Sequence, residues 1–407
     1  MKQLLTLVTL LSAAATFAEP SVQVNGVKMR YPFSHLTDID YTVTDPNGEA
    51  GGYALEVSVT ATTKDGEKTW TASHFETYAA CDLPTTDGSH RITWDPSSEA
   101  DFFASAVKVK LALKPTGLTK ATAGYLIVDV SGGTSATSYP VTYASASVAP
   151  AEFNKRLYKT TKIVLKRCPA GKFQMGGAST TGMSAAPVHH VELTEPFWLG
   201  LFEVTDKQYT SVVSGNSPSG YTRAVAQGQP DTDVESVNGS VFQRTNTVYA
   251  ANGFLTILTA KAVMPDGSLF SFVLPTEAQW EYVARAGGAI TQKYVWGSDE
   301  SADSGIYAWT YANCSASLYP HEVGTREPTE WGFYDLHGNV WELCRDFLEA
   351  YPADTSAENP QVNPVGTGTT PCIRGGSFWR SLYPIDFRYP SGMTNTGPDF
   401  GFRLAAE

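Results

Sequence analysis

The chain has 407 residues, with 29 Lys or Arg against 41 Asp or Glu, a formal net charge of −12. That excess of acid argues against a nucleic-acid or anionic-membrane surface, which needs basic patches. Hydrophobic residues make up 42% and charged residues 17%, which supplies a packed core and excludes global disorder. The length fits two or three domains. Abundant aromatic residues beside 35 Gly and 24 Pro favour strands, turns and irregular loops over a helical bundle.

The first residues read as an export signal. Lys2 gives a positive start, Leu4 to Leu11 an apolar run, and Ala13-Ala14-Ala15-Thr16-Phe17-Ala18 a small-residue end. The apolar stretch is short for a membrane span of ~20 residues, and Glu19-Pro20 follows at once. Cleavage is expected after Ala18, giving a secreted, periplasmic or cell-surface protein with no transmembrane segment. Export permits disulfides. Cys81, Cys168, Cys314, Cys344 and Cys372 are odd in number, so at least one is unpaired within the chain. No pair has C-x-x-C spacing, so neither a zinc site nor a thioredoxin-like motif is indicated.

Residues 19–118 read as an all-β, immunoglobulin-like sandwich. Tyr53-Ala-Leu55-Glu-Val57-Ser-Val59 and Val107-Lys-Val109-Lys-Leu111-Ala-Leu113-Lys alternate apolar and polar, the mark of strands with one buried face. Asp45-Pro-Asn-Gly48, Lys64-Asp-Gly66 and Asp87-Gly88 supply turns. Residues 119–161 read as a connecting segment holding one strong strand, Tyr125-Leu-Ile-Val-Asp-Val130. A second domain is expected over 162–407, opening with Lys162-Ile-Val-Leu-Lys166.

Adjacent His189 and His190 would point to opposite faces of a strand and read as structural or exposed. Asp206-Lys-Gln-Tyr209 suggests a short helix. Thr276, with Gln279 three residues on, is a capping-box start for an amphipathic helix that Gly287-Gly288 ends. On that helix Glu281 and Arg285 sit one turn apart and are expected to pair.

The second domain carries six segments in order: Pro169-Ala-Gly-Lys-Phe-Gln-Met-Gly176, Phe197-Trp-Leu-Gly-Leu-Phe-Glu-Val-Thr-Asp-Lys-Gln-Tyr209, Leu274-Pro-Thr-Glu-Ala-Gln-Trp-Glu-Tyr282, Gly332-Phe-Tyr-Asp-Leu-His-Gly-Asn-Val-Trp-Glu342, Arg374-Gly-Gly-Ser377 and Gly401-Phe-Arg403. Together they resemble the formylglycine-generating enzyme, or sulfatase-modifying factor, family, over about Lys162 to Ala406. The resemblance implies a C-type-lectin-like α+β fold with little regular secondary structure. It also implies a structural Ca²⁺ held by the side chains of Asp335 and Glu342 and the carbonyls of Gly338 and Val340. The alternative is a turn whose carboxylates cap N–H groups or pair with arginines. The family's other calcium loop has no counterpart Asp in Ser315 to Val323.

The family oxidises a sulfatase cysteine to formylglycine with O₂, using Cu(I) bound by a pair of thiolates, soft ligands suited to that ion. The resemblance places those thiols at Arg380 and Ile385, and no cysteine follows Cys372. A guanidinium stays protonated and Ile has no donor atom, so copper is not expected. Ser377 matches a family active-site position, yet no catalytic residue is assigned. The reading is therefore a pseudoenzyme that binds a peptide, protein or glycan through a C-terminal cleft of Ser377, Phe378, Trp379, Arg380, Tyr383 and Arg388. Two rivals stay open: an oxidase with a non-standard site, and a diversified ligand-binding protein like the variable proteins of diversity-generating retroelements. Arg374 and Arg403 are expected to pair with buried carboxylates, and Cys372 could bond Cys344.

Overall fold

The computed structural model describes residues 19–30, 34–45, 52–63, 65–99, 107–177, 185–214, 252–298, 304–314, 319–390 and 399–407. The expected signal at 1–18 and part of the Ser315 to Val323 loop lie outside the described residues. The chain divides into two compact units, Met1–His74 with Pro84–Pro115, and Phe75–Leu83 with Thr116–Glu407. No described helix is long and apolar enough to cross a membrane.

The first unit holds two antiparallel sheets. One joins Ser21–Met29, Thr37–Thr44 and Gly88–Trp94; the other joins Gly66–Thr71, Tyr53–Thr63 and Val107–Pro115. The alternation in sequence is realised as burial: Leu55, Val57, Val59 and Ala61 turn inward, as do Ile39, Tyr41 and Val43 on the other sheet. Gly66, at φ +107, supplies the left-handed turn residue between Tyr53–Thr63 and Gly66–Thr71.

The second unit is built on a seven-stranded sheet in the order Ala262–Val263, Tyr139–Ala144, Tyr125–Asp129, Lys162–Cys168, Phe197–Gly200, Ala405–Ala406, Phe272–Val273. This corrects the expected connecting segment. Tyr125–Asp129 is a central strand, antiparallel to both Tyr139–Ala144 and Lys162–Cys168. Its apolar run has no polar face because it is covered on both sides, which is why alternation did not mark it. Residues Phe75–Leu83, expected in the sandwich, also belong here. Asp82 of that stretch is buried and accepts Lys162 Nζ at 2.7 Å, Tyr158 Oη at 3.1 Å and Thr142 Oγ1 at 3.1 Å.

Two smaller sheets complete the unit. One orders Tyr389–Pro390, Pro371–Arg374, Trp341–Phe347 and Phe400–Gly401; the other orders Gly171–Met175, His189–Leu193 and Gln361–Val362. Against them lies the helix Glu277–Ala284. Its capping box forms as expected, Thr276 Oγ1 accepting Gln279 N at 3.0 Å and Gln279 Oε1 accepting Thr276 N at 2.9 Å. The helix is not amphipathic, however: every residue from Glu277 to Ala284 is buried.

Its two carboxylates survive burial because guanidinium groups meet them. Glu277 accepts Arg374 Nη1 at 2.9 Å and a bidentate fork from Arg388 at 2.7 and 2.8 Å. Glu281 accepts Arg285 Nε at 2.8 Å, the Gly176 amide at 2.8 Å and Arg374 Nη2. Burial pushes both carboxyls up, but the arginines outweigh it and hold them below the ordinary range. A second buried pair joins Arg403 Nη2 to Glu342 at 2.6 Å, with Trp280 Nε1 donating to the same carboxylate at 2.8 Å. The expected roles of Glu281, Arg285, Arg374 and Arg403 as ion-pair partners are realised.

Arg374→Ala should destabilise the second unit by about 3–5 kcal/mol, since it removes one of the two guanidinium partners from each of two buried acids. Lys108→Ala, which breaks the exposed 3.4 Å pair with Glu67, should change the first unit by less than about 1 kcal/mol. Denaturant titration of each variant measures both.

Asp346 supplies a pH test. It is buried and accepts the Glu277 and Gly366 amides, and burial raises its carboxyl to about 6. A raised carboxyl contributes stability that is complete below the unfolded value of 3.8 and lost as pH rises through about 6. The stability of the native chain relative to Asp346→Asn should therefore fall by about 2 kcal/mol from pH 4 to pH 7. Chemical denaturation across that range reads it; a constant gap contradicts the assignment.

Candidate functional site

Gly375 and Gly376, at φ +92 and +85, turn the chain out of the strand Pro371–Arg374 and into the segment 377–390. The segment does not present all the residues expected of it. Ser377 is buried and donates to Asp399 Oδ2 at 2.9 Å, and Phe378 is fully buried beside Cys314 Sγ. Arg388 is 3% exposed and consumed by Glu277, the Glu349 carbonyl at 2.9 Å and the face of Tyr351 at 3.9 Å. These three side chains serve the interior rather than a cleft surface: the Ser377 hydroxyl and Arg388 guanidinium would be costly there unpaired, and Phe378 packs in an apolar cluster with Cys314 and Val340.

Trp379 and Arg380 lie outside, 42% exposed for Trp379 and 55% for the Arg380 side chain. Arg380 Nε lies 3.7 Å from Asp399 Oδ2, so the cation sits over the carboxylate that holds Ser377. The Tyr311 amide donates to the Arg380 carbonyl at 3.0 Å and brings that ring, 64% exposed, to the same turn. Tyr383 is half-buried and stacks on Phe387 at 4.1 Å. Ile385 is buried, its amide bonded to the Lys293 carbonyl at 2.7 Å.

Past this turn the same segment forms one wall of a cavity of about 1120 Å³. Ser381, Leu382, Tyr383, Pro384 and Asp386 line that wall. The opposite walls come from the strand Gly171–Met175, through Lys172 and Gln174, from His190, and from the loop Ile290–Tyr294. Arg285 pins that loop, donating to the Ile290 and Gln292 carbonyls at 3.3 and 3.5 Å and to the Gly176 carbonyl at 3.0 Å. Gly287 stands at φ +72, where a Cβ would also lie 2.6 Å from the Trp331 ring. His189 is buried and His190 reaches the cavity, so the opposite-face reading of the pair holds. Lys293, Gln174 and Gln292 escaped the sequence reading. The one available signal was Gly287-Gly288, which marked a helix end without saying what followed.

As arranged, the side chains of Asp335 and Glu342 do not fit a calcium ion. Calcium takes six to eight oxygens. Both Glu342 oxygens are bonded to Arg403, and one also accepts Trp280. Asp335 Oδ2 accepts the Gly324 amide at 2.7 Å, and Oδ1 has no hydrogen-bond partner among the described residues. Gly338 is fixed for a packing reason, since a Cβ there would lie 2.0 Å from the Trp309 carbonyl oxygen, and Val340 donates its amide to Glu203. Among the described residues no group of three or more His, Cys, Asp or Glu side chains is arranged to hold a metal. A Cu(I) site at Arg380 and Ile385 fails on chemistry, since neither side chain offers a soft donor.

The sequence profile of the sulfatase-modifying factor enzyme 1-like domain matches residues 150–407. A formylglycine-generating enzyme of Streptomyces coelicolor is 28% identical over 291 residues, spanning 59% of this chain and 88% of its own. A chaperone protein, LppX, of Paenibacillus barcinonensis is 26% identical over 258 residues, spanning 56% of this chain and 86% of its own. The solved structure of Treponema denticola variable protein 1 aligns with a TM-score of 0.47 at 24% identity, covering 60% of this chain and 95% of that one.

Cys344 and Cys372 are neighbours, as the sequence allowed, but as free thiols. Both lie on paired strands, Trp341–Phe347 and Pro371–Arg374, whose register runs Glu342↔Arg374 and Leu343↔Ile373 and shifts beyond Leu343. Cys372 Sγ lies 3.0 Å from Glu277 Oε1, and burial pushes both thiols up. Alkylation in denaturant without reductant should label both positions. Protection of both, relieved by a reductant, would show them bonded instead.

Proposed function

Because the chain belongs to the sulfatase-modifying factor enzyme 1-like family, we propose that it keeps the family scaffold for ligand binding and lacks the family's copper-dependent oxidation. One observation carries this reading. The positions that the resemblance assigns to the copper thiolates are a guanidinium leaning on Asp399 and a buried Ile385. Cys344 and Cys372 are no replacement: both are fully buried and their thiols are held protonated. The ligand is a peptide, protein or glycan, met by the segment that exposes Trp379 and Arg380 and then walls the cavity. Exposed aromatic and Arg side chains favour recognition because they bring large area and directed hydrogen bonds. The chain acts outside the cytoplasm after loss of residues 1–18.

Anaerobic Cu(I) titration of the purified chain should find no tight site. Incubation of a Cys-x-Pro-x-Arg peptide with the chain, copper and O₂ should yield no aldehyde by mass spectrometry. Copper-dependent aldehyde formation would replace the binding role with the oxidase.

A further inference from the structure

The cavity beside Tyr383 has its own electrostatic pattern. Its charged lining is Lys172, Lys293, Arg285 and Asp386, with His190 beside them. Two of the three cations are already spent. Lys172 Nζ pairs with Glu192 at 3.3 Å, and the Arg285 fork is divided between Glu281 and three backbone carbonyls. Lys293 has an exposed side chain and no ion pair among the described residues. The cavity therefore offers one uncommitted ammonium and no guanidinium fork. One ammonium suits a single carboxylate; a phosphate dianion is better met by forked or clustered donors.

Asp386 adds a second requirement. Its carboxylate lies against Gly177 so closely that a Cβ there would be 1.9 Å from Oδ2. Its negative charge disfavours a second anion at that wall. Gln174, Gln292, Thr291 and Ser381 add amides and hydroxyls that both donate and accept. Tyr383 offers a ring at the wall. A ligand that satisfies these groups together brings one anion, many hydroxyls and a face that packs on an aromatic ring.

We propose that this cavity binds an acidic saccharide of the uronic-acid class, its carboxylate on Lys293 and its hydroxyls on the amide and hydroxyl lining. The inference deepens the binding role above and rests on it. The volume of about 1120 Å³ accommodates a short oligosaccharide rather than a single small ion.

Calorimetric titration of the full chain with trigalacturonate, galactotriose and inorganic phosphate tests it. Trigalacturonate should bind at low salt with Kd below about 1 mM. Lys293→Ala should weaken it about tenfold, while Lys293→Arg, which keeps the charge, should stay within about threefold. Galactotriose should bind at least about tenfold more weakly, and phosphate should not compete. No binding of trigalacturonate by the native chain overturns the proposal. So does equal affinity for galactotriose, equal affinity in Lys293→Ala with unchanged circular dichroism, or competition by phosphate. The copper and aldehyde assays do not depend on this ligand, so either reading can fail without the other.

Discussion

Two carboxylates on one buried helix govern the second unit. Glu277 and Glu281 are one turn apart, and neither could remain charged in the interior alone. Arg285 answers from the same helix, Arg374 from a strand, and Arg388 from the segment beyond the glycine turn. Three distant stretches are thereby held to one point by forks of fixed geometry. Apolar residues of the same volume could fill the space, but they would not specify which atoms meet.

Both walls of the cavity inherit their positions from that point. Arg374 Nη2 also donates to the Ile385 carbonyl at 2.7 Å, which fixes the wall containing Pro384 and Asp386. Arg285 and Glu281 grip both backbone groups of Gly176 and the carbonyls of the opposite loop. The same economy recurs elsewhere in this irregular unit. Glu203 accepts from Asn339 Nδ2 at 2.6 Å and from the Val340 amide at 3.2 Å, satisfying a turn that no sheet reaches.

Legibility in the sequence followed locality. The capping box at Thr276, the alternating strands of the first unit and the pairing of Glu281 with Arg285 are set by residues within a few positions of each other. The family segments were legible as well, and with them the buried roles of Arg374 and Arg403. What escaped depends on distant partners. Tyr125–Asp129 carries no periodicity that distinguishes a central strand from a link. Nothing near Arg388 says that its fork is claimed by Glu277, 111 positions away. Glu342 follows the spacing of a cation ligand, yet the charge it meets is that of Arg403. The cavity walls are loops, where residue type alone does not reveal which side chains converge.

The short stretch Phe75–Leu83 separates modular ancestry from modular behaviour. It lies among strands of the first unit in the chain, yet Asp82 supplies the buried counter-charge of Lys162 in the second. A fragment cut at Thr116 would leave that buried lysine only the more distant Asp129, 4.0 Å away. Exchange of the leading module between relatives must therefore carry this peptide along, or replace acid and lysine together.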